Sequence, residues 1–307
     1  MIRATAGAST DVGQVRDGNE DSFVSVDGLY FVADGMGGHS AGEIASAIAV
    51  ATLRELHEKS DHPLDTAEAV VEAVAAANRA IFAEALADPS KSGMGTTLTG
   101  IVVTRPESDQ IVVANVGDSR TYLWRHGELR QVTKDHSHVQ TLVDRGAITR
   151  AEARVHFQRN IVLRAMGIES WVDVDTFTVD VEDGDRYIIC SDGLVDEADD
   201  DEIEREIRHS GGPQNLSERL VALANRNGGR DNITVVVVDF DVVPATPVDE
   251  PSDVSDRDAG TDSVAETATA LMVRPTRTSP WLTVTAFAMF ALSAAITITV
   301  VISAATS

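Results

Sequence analysis

Residues 29–39 read Leu29-Tyr30-Phe31-Val32-Ala33-Asp34-Gly35-Met36-Gly37-Gly38-His39. The apolar run Leu29 to Ala33 predicts a buried strand, and Asp34-Gly35 ends it in a turn. A carboxylate at the end of a buried strand is held in place and yet faces a cleft. The same pattern recurs along the chain. Candidate strands are Leu98 to Thr104, Ile111 to Val116, Thr121 to Trp124, Tyr187 to Cys190 and Ile233 to Phe240, several of them bounded by Asp-Gly or Gly-Asp. Helical spacing marks Glu43 to Glu58, with Ile44, Ile48, Ala51 and Leu56 as its apolar positions, and Thr66 to Ala87, with Val70, Val74, Ala77 and Ile81. A third helix is expected from Pro213 through Leu216, Leu220 and Leu223 to a stop at Gly228-Gly229. Mixed strands and helices without an internal repeat predict one α+β domain over residues 1–241.

The formal net charge of -24 excludes nucleic acid as a partner, because a duplex repels such a surface. Cys190 is the single cysteine, so neither a disulfide framework nor a cysteine-built zinc site is available. The N-terminus has no apolar stretch behind a basic start, and no cleavable signal peptide is expected.

Residues 242–280 are rich in Pro, Thr, Ser, Asp and Ala and predict a flexible acidic linker that cannot bury enough apolar surface to order itself. Trp281 to Ser303 then carries no charge. As a helix it would extend about 34 Å at ~1.5 Å per residue, against a hydrocarbon core of ~30 Å. A transmembrane helix is expected over 281–303, with 304–307 as a short extracytoplasmic tail. Arg274 and Arg277 precede the span and place the N-terminal domain in the cytoplasm by the positive-inside rule. The expected location is the cell membrane, with a single pass.

Four acidic clusters stand in polar or glycine-rich turns: Arg16 to Asp21 (RDGNED), Asp34 to His39 (DGMGGH), Ser191 to Leu194 (SDGL) and Gly229 to Asn232 (GRDN). Each alone is an ordinary turn. Converging at strand ends, they suit hard divalent cations that prefer oxygen ligands.

The ordered set RDGNED, ADGMGGHSAGE, GTTL (Gly95 to Leu98), NVGDSR (Asn115 to Arg120), TKDHS (Thr133 to Ser137), CSDGLVD (Cys190 to Asp196) and GGRDNITVVV resembles the PPM/PP2C family of metal-dependent protein serine/threonine phosphatases. The likeness runs from Ala6 to Phe240. It implies a four-layer α-β-β-α sandwich with a metal site at one edge of two central sheets, holding two Mn2+ or Mg2+ ions. By the same resemblance Asp34 bridges both metals, the Gly35 carbonyl binds the first, and Asp192 and Asp231 bind the second with either Glu20 or Asp21. Asp118 matches the residue that holds a third, weaker metal together with Asp192. Arg16 matches the arginine that binds substrate phosphate; its alternative is a surface ion pair with Asp17 or Glu20.

The implied reaction is hydrolysis of phosphoserine and phosphothreonine on proteins by a metal-activated water, without a covalent phosphoenzyme. Many eukaryotic members carry a proposed proton-donating His where this chain has Met36, which cannot donate. His39 and a water near Asp118 are the remaining candidates, with a turn residue as the bland reading of His39. Cys190 lacks the Arg six positions on that cysteine-dependent phosphatases need, since position 196 is Asp, and reads as a buried strand residue. The helical, charged segment Val139 to Gly167 corresponds to the flap beside the active site. Expected partners are phosphorylated proteins near the membrane, a receptor-type Ser/Thr kinase among them, with a monomeric catalytic domain. Two alternatives stand beside this reading: a catalytically silent phospho-reader or scaffold, and a dedicated phosphatase of an anti-anti-sigma-type phosphoprotein.

Overall fold

The computed structural model describes residues 2–37, 41–59, 64–104 and 109–242, all within one unit, Met1–Pro247. His39 and residues 243–307, with the expected linker, span and tail, lie outside the described residues. Among the described residues no helix is long and apolar enough to cross a membrane.

In chain order the elements are β1 (Ile2–Asp11), β2 (Asp21–Val26), β3 (Leu29–Met36), α1 (Ala41–Lys59), α2 (Ala67–Ala87), a 3-10 turn (Pro89–Lys91), β4 (Gly95–Thr96), β5 (Leu98–Val103), β6 (Gln110–Val116), β7 (Arg120–Arg125), β8 (Glu128–Gln131), α3 (His138–Asp144), α4 (Arg150–Arg154), β9 (Asp175–Asp180), β10 (Arg186–Cys190), α5 (Asp192–Glu197), α6 (Asp200–His209), α7 (Pro213–Asn227) and β11 (Ile233–Val242). One sheet has the order β1-β11-β10-β7-β8; the other runs β2-β3-β5-β6-β9, with β4 paired to β3. Every strand pairing is antiparallel.

The central strands read as unbroken apolar runs because both faces of each are covered. On β3, Leu29, Phe31 and Ala33 pack with α1 and α2, while Tyr30 and Val32 face the other sheet. On β11, Val235 and Val237 pack with the helices α5 to α7, and Val236, Val238 and Phe240 fill the layer between the sheets. Period-2 alternation thus sends each strand's side chains into two separate apolar layers. The α-β-β-α arrangement expected above is the one observed.

Two readings need correction. Val242, assigned to the linker, is the last residue of β11 and pairs with Ile2. The buried face of α1 is Ala41, Gly42, Ala45, Ser46, Ala49 and Leu53, whereas Leu56 is 38% exposed. Small side chains let this helix lie close on β2 and β3, so the larger Ile44 and Ile48 flank the contact. One helix, α6, has no counterpart among the expected elements; Asp199 and Glu202 form its capping box, and Ile203 and Ile207 are its buried residues.

Phe240 is fully buried between the sheets and meets Tyr187 edge to face, with ring centroids 5.7 Å apart. Replacing Phe240 by Ala should lower the unfolding free energy by about 3–5 kcal/mol, read as a lower urea midpoint at unchanged m-value.

Candidate metal centre

The chain crosses between the sheets at residues 12–20, joining β1 to β2, and at 117–119, joining β6 to β7. These crossings and the start of α5 gather the acidic turns. The tight Asp27-Gly28 turn joins β2 to β3 and sets a register in which Asp21 stands opposite Asp34. Asp192 opens α5 directly after Ser191, and the Ser191 hydroxyl donates to Asp21 Oδ2 at 2.8 Å and accepts the Thr234 N–H at 3.0 Å. A residue following the β10 strand of one sheet therefore holds a carboxylate of the other.

Asp34 is anchored through its backbone. Its N–H donates to Thr97 Oγ1 at 3.1 Å and its carbonyl accepts the Thr96 hydroxyl at 2.8 Å. A Cβ on Gly35 would lie 2.3 Å from Gly42 O and 2.5 Å from Glu20 O, so only glycine lets α1 begin against the end of β3 here. Asn232 staples the N-terminal crossing: its Nδ2 donates to Val12 O and Gly18 O, both at 2.9 Å, and its Oδ1 accepts the Glu20 N–H at 2.8 Å.

The carboxylates crowd one another. Burial pushes the carboxyl of Asp34 well up, and the charges of Asp192, Asp21 and Asp118 push it further. Asp192 is raised by burial first and then by Asp118, Asp196 and Asp231. Asp34 and Asp192 share a hydrogen bond that favours the protonated form of Asp34. Burial raises Asp118 to about 7 and Asp21 to about 6, against the bonds from Thr234 and Ser191 in the second case. Asp21 Oδ1 is buried with no hydrogen-bond partner. Such a group needs protons or cations to be tolerated.

A divalent cation fits this set. The donors are hard oxygens, one of them is an orphan, and the guanidinium group beside Asp118 is engaged by a carboxylate outside the set. Arg120 is held by Asp135, with Nη2 to Oδ2 at 2.7 Å. Among the described residues no three His, Cys, Asp or Glu side chains form a ready-made cage. Cations that keep several waters do not require one.

The sequence-derived candidates divide as follows. Asp21, Asp34, Asp118 and Asp192 come together. Asp231 adjoins them and accepts from Arg16 Nη2 at 2.6 Å. That bond is the leading cause of the raised Arg16 pKa. Arg16 is thus ion-paired to Asp231 and not to Asp17 or Glu20, because the crossing folds back toward the start of β11. Glu20 lies near Arg16, Asp231 and Glu43, and burial raises its pKa. Between Glu20 and Asp21, it is Asp21 that faces Asp34. Cys190 is fully buried on β10, with burial pushing its thiol up to about 12. Sequence reading missed Ser191, Asn232 and Thr97 as supports; the position of Ser191 immediately before Asp192 was the available signal.

A cavity of about 410 Å³ opens beside Asp118 and Asp192, with Arg150, Arg154 and Arg159 also in its lining. Arg159 Nε lies 3.4 Å from Asp196 Oδ2. The segment expected to form the flap therefore borders the acidic cluster.

The protein phosphatase 2C family model matches residues 14–223. The serine/threonine protein phosphatase PstP of Mycobacterium tuberculosis is 43% identical over 246 residues, 78% of this chain and 46% of PstP. This chain thus spans about half the length of that relative. The serine/threonine phosphatase stp of Listeria monocytogenes is 38% identical over 242 residues, 76% of this chain and 94% of stp. A crystal structure of the catalytic domain of PstP in complex with two manganese ions superposes with a TM-score of 0.72 at 39% identity, covering 79% of this chain and 100% of that one.

The raised carboxyls give a signed pH dependence. A carboxyl whose folded pKa lies above its unfolded value stabilises the fold below the unfolded value, and this is lost as pH rises through the folded one. With Asp21 at about 6 and Asp118 at about 7, the chelated protein should melt lower at pH 8 than at pH 5.5. Excess Mn2+ should raise the melting temperature more at pH 8 than at pH 5.5. Asp118→Asn should flatten the slope near pH 7. Scanning calorimetry checks all three.

Proposed function

Since the chain belongs to the protein phosphatase 2C family, we propose that it is a metal-dependent protein serine/threonine phosphatase that hydrolyses phosphoserine and phosphothreonine on proteins at the membrane. The observation that carries this reading is the buried group Asp21, Asp34, Asp118 and Asp192, whose carboxyls are all pushed up by burial and by one another or by neighbouring carboxylates, more than Arg16 and Arg120 nearby offset. Asp34, Asp192 and Asp231, with Asp21 and the Gly35 carbonyl, would hold two divalent cations, and Asp118 with Asp192 a third. Mn2+ is the first candidate, in line with the two manganese ions of the PstP catalytic domain. Bound there, the cations would supply an activated water and neutralise phosphate charge.

The chain's own residues do the rest. Arg16 is half exposed, and its planar fork suits two phosphate oxygens once released from Asp231. Thr96 and Thr97 keep Asp34 from swinging away, and Ser191 orients Asp21. The cavity beside Asp118 gives room for residues flanking the phosphorylated one. Met36 still leaves the proton donor to be supplied by His39 or by water near Asp118.

Residues 281–303 are proposed to anchor the domain 1–242 through the linker 243–280, leaving 304–307 beyond the membrane. Tethering raises the effective concentration of phosphorylated membrane-proximal substrates, kinases included, without new contacts. Removing residues 243–307 should move the protein from the membrane pellet to the supernatant on cell fractionation. Retention of the truncated form in the pellet would refute the anchor.

Residues 1–242 should release phosphate from a phosphothreonine peptide in Mn2+, and Asp34→Asn should reduce kcat/KM by at least about a hundredfold. Tight phosphopeptide binding without release under Mn2+ or Mg2+ would instead favour a silent phospho-reader, the reading prompted by Met36.

A further inference from the structure

The TKDHS stretch carries a histidine for which the proposed reaction has no use. His136 lies against the turn that bears Asp118. Its backbone N–H donates to Gly117 O at 2.9 Å, and its ring Nδ1 accepts the Gly117 N–H at 3.0 Å. A backbone amide only donates, so Nδ1 is unprotonated and the proton of the neutral ring sits on Nε2. Nε2 lies 3.2 Å from Asp175 Oδ2, on β9. Burial pushes the imidazole below its ordinary pKa, with Asp175 acting in the opposite direction.

Arg164 completes the set. Its Nη1 donates to Asp175 Oδ1 at 2.6 Å and lies 3.1 Å from His136 Nε2. Both of those nitrogens are donors in this tautomer, so the carboxylate of Asp175 is what holds them together. The adjacent Leu163 donates its N–H to His136 O at 2.7 Å. One histidine is therefore bonded to the Asp118 turn on one side and to the end of segment 139–167 on the other.

The turn has little freedom elsewhere. Gly117 has φ +108°, and a Cβ there would lie 2.6 Å from Thr97 Cβ. The Ser119 hydroxyl is bonded to Thr97 Oγ1 at 2.7 Å, the same oxygen that accepts the Asp34 N–H. Asp118 hangs between two anchors: Thr97 toward Asp34, and His136 toward the flap segment.

We propose that His136 is a positioning residue: through Nδ1 it fixes the Gly117 amide and so aims the Asp118 carboxylate toward Asp34 and Asp192. Through Asp175 and Arg164 it ties that aim to the seating of residues 139–167. The proposal rests on the reading of Asp118 as a ligand of the weaker cation.

Two variants separate the ring's two ends. His136→Asn keeps an acceptor near the position of Nδ1 and loses Asp175; His136→Gln reaches toward Asp175 and loses the acceptor for Gly117. In the full chain, solubilised in mild detergent, His136→Gln should need about tenfold more Mn2+ for half-maximal phosphopeptide turnover. Direct Mn2+ binding followed by electron paramagnetic resonance should shift by the same factor, while His136→Asn stays within about threefold of the parent. Equal shifts in the two variants, or none in His136→Gln, would overturn the proposal, because loss of packing alone treats both alike. Asp118→Asn is the control. If it leaves Mn2+ binding unchanged, the reading of Asp118 fails; if it weakens binding while His136→Gln does not, only the role of His136 fails. Should His136→Gln not fold, ring 15N shifts of the unsubstituted protein decide: a proton on Nε2 supports the proposal, and a proton on Nδ1 overturns it.

Discussion

Four carboxylates that repel one another are held together where the two sheets meet, and the surrounding structure keeps them from separating. Their backbone positions come from strand register, from a glycine contact at Gly35 and from side-chain bonds that cross between sheets, such as Ser191 to Asp21. Without cations, burial and mutual repulsion push the carboxyls of Asp34 and Asp192 well above the ordinary carboxylate range. The fold thus stores an electrostatic cost at one edge and offsets it with three apolar layers elsewhere. Cation binding would relieve that cost, which makes affinity at the site a property of the whole scaffold.

The strands with apolar runs were legible because burial on both faces leaves no polar alternation to confuse them. Those not expected are β1, β2, β8 and β9, whose residues are mixed or polar and lie at sheet edges, and the two-residue β4 paired to β3. IRATAGASTD becomes β1 because β11 offers it ten partners in register, a tertiary fact that no local window contains. The face of α1 was misread for a related reason. Hydrophobicity favoured its Ile and Leu residues, whereas close approach to a sheet favours Ala and Gly.

The acidic turns were visible in the sequence, and resemblance assigned their separate roles. Two matters depended on tertiary geometry. The choice of Asp21 as the partner facing Asp34 follows from the β2–β3 register, and the pairing of Arg16 with Asp231 joins residues 215 positions apart. The supporting residues Thr97, Asn232 and His136 carry no special chemistry of their own. Their importance lies in which backbone groups they bond.

Cys190 has a consequence outside phosphate chemistry. It is the single cysteine of the chain, it is fully buried, and its thiol is pushed up to about 12. A thiol that stays protonated and shielded is a poor target for peroxide and alkylating reagents. The proposed activity would therefore tolerate oxidising conditions that silence thiolate-based phosphatases. The same burial makes Cys190 a built-in label for unfolding, since a maleimide reaches it only when β10 leaves its sheet.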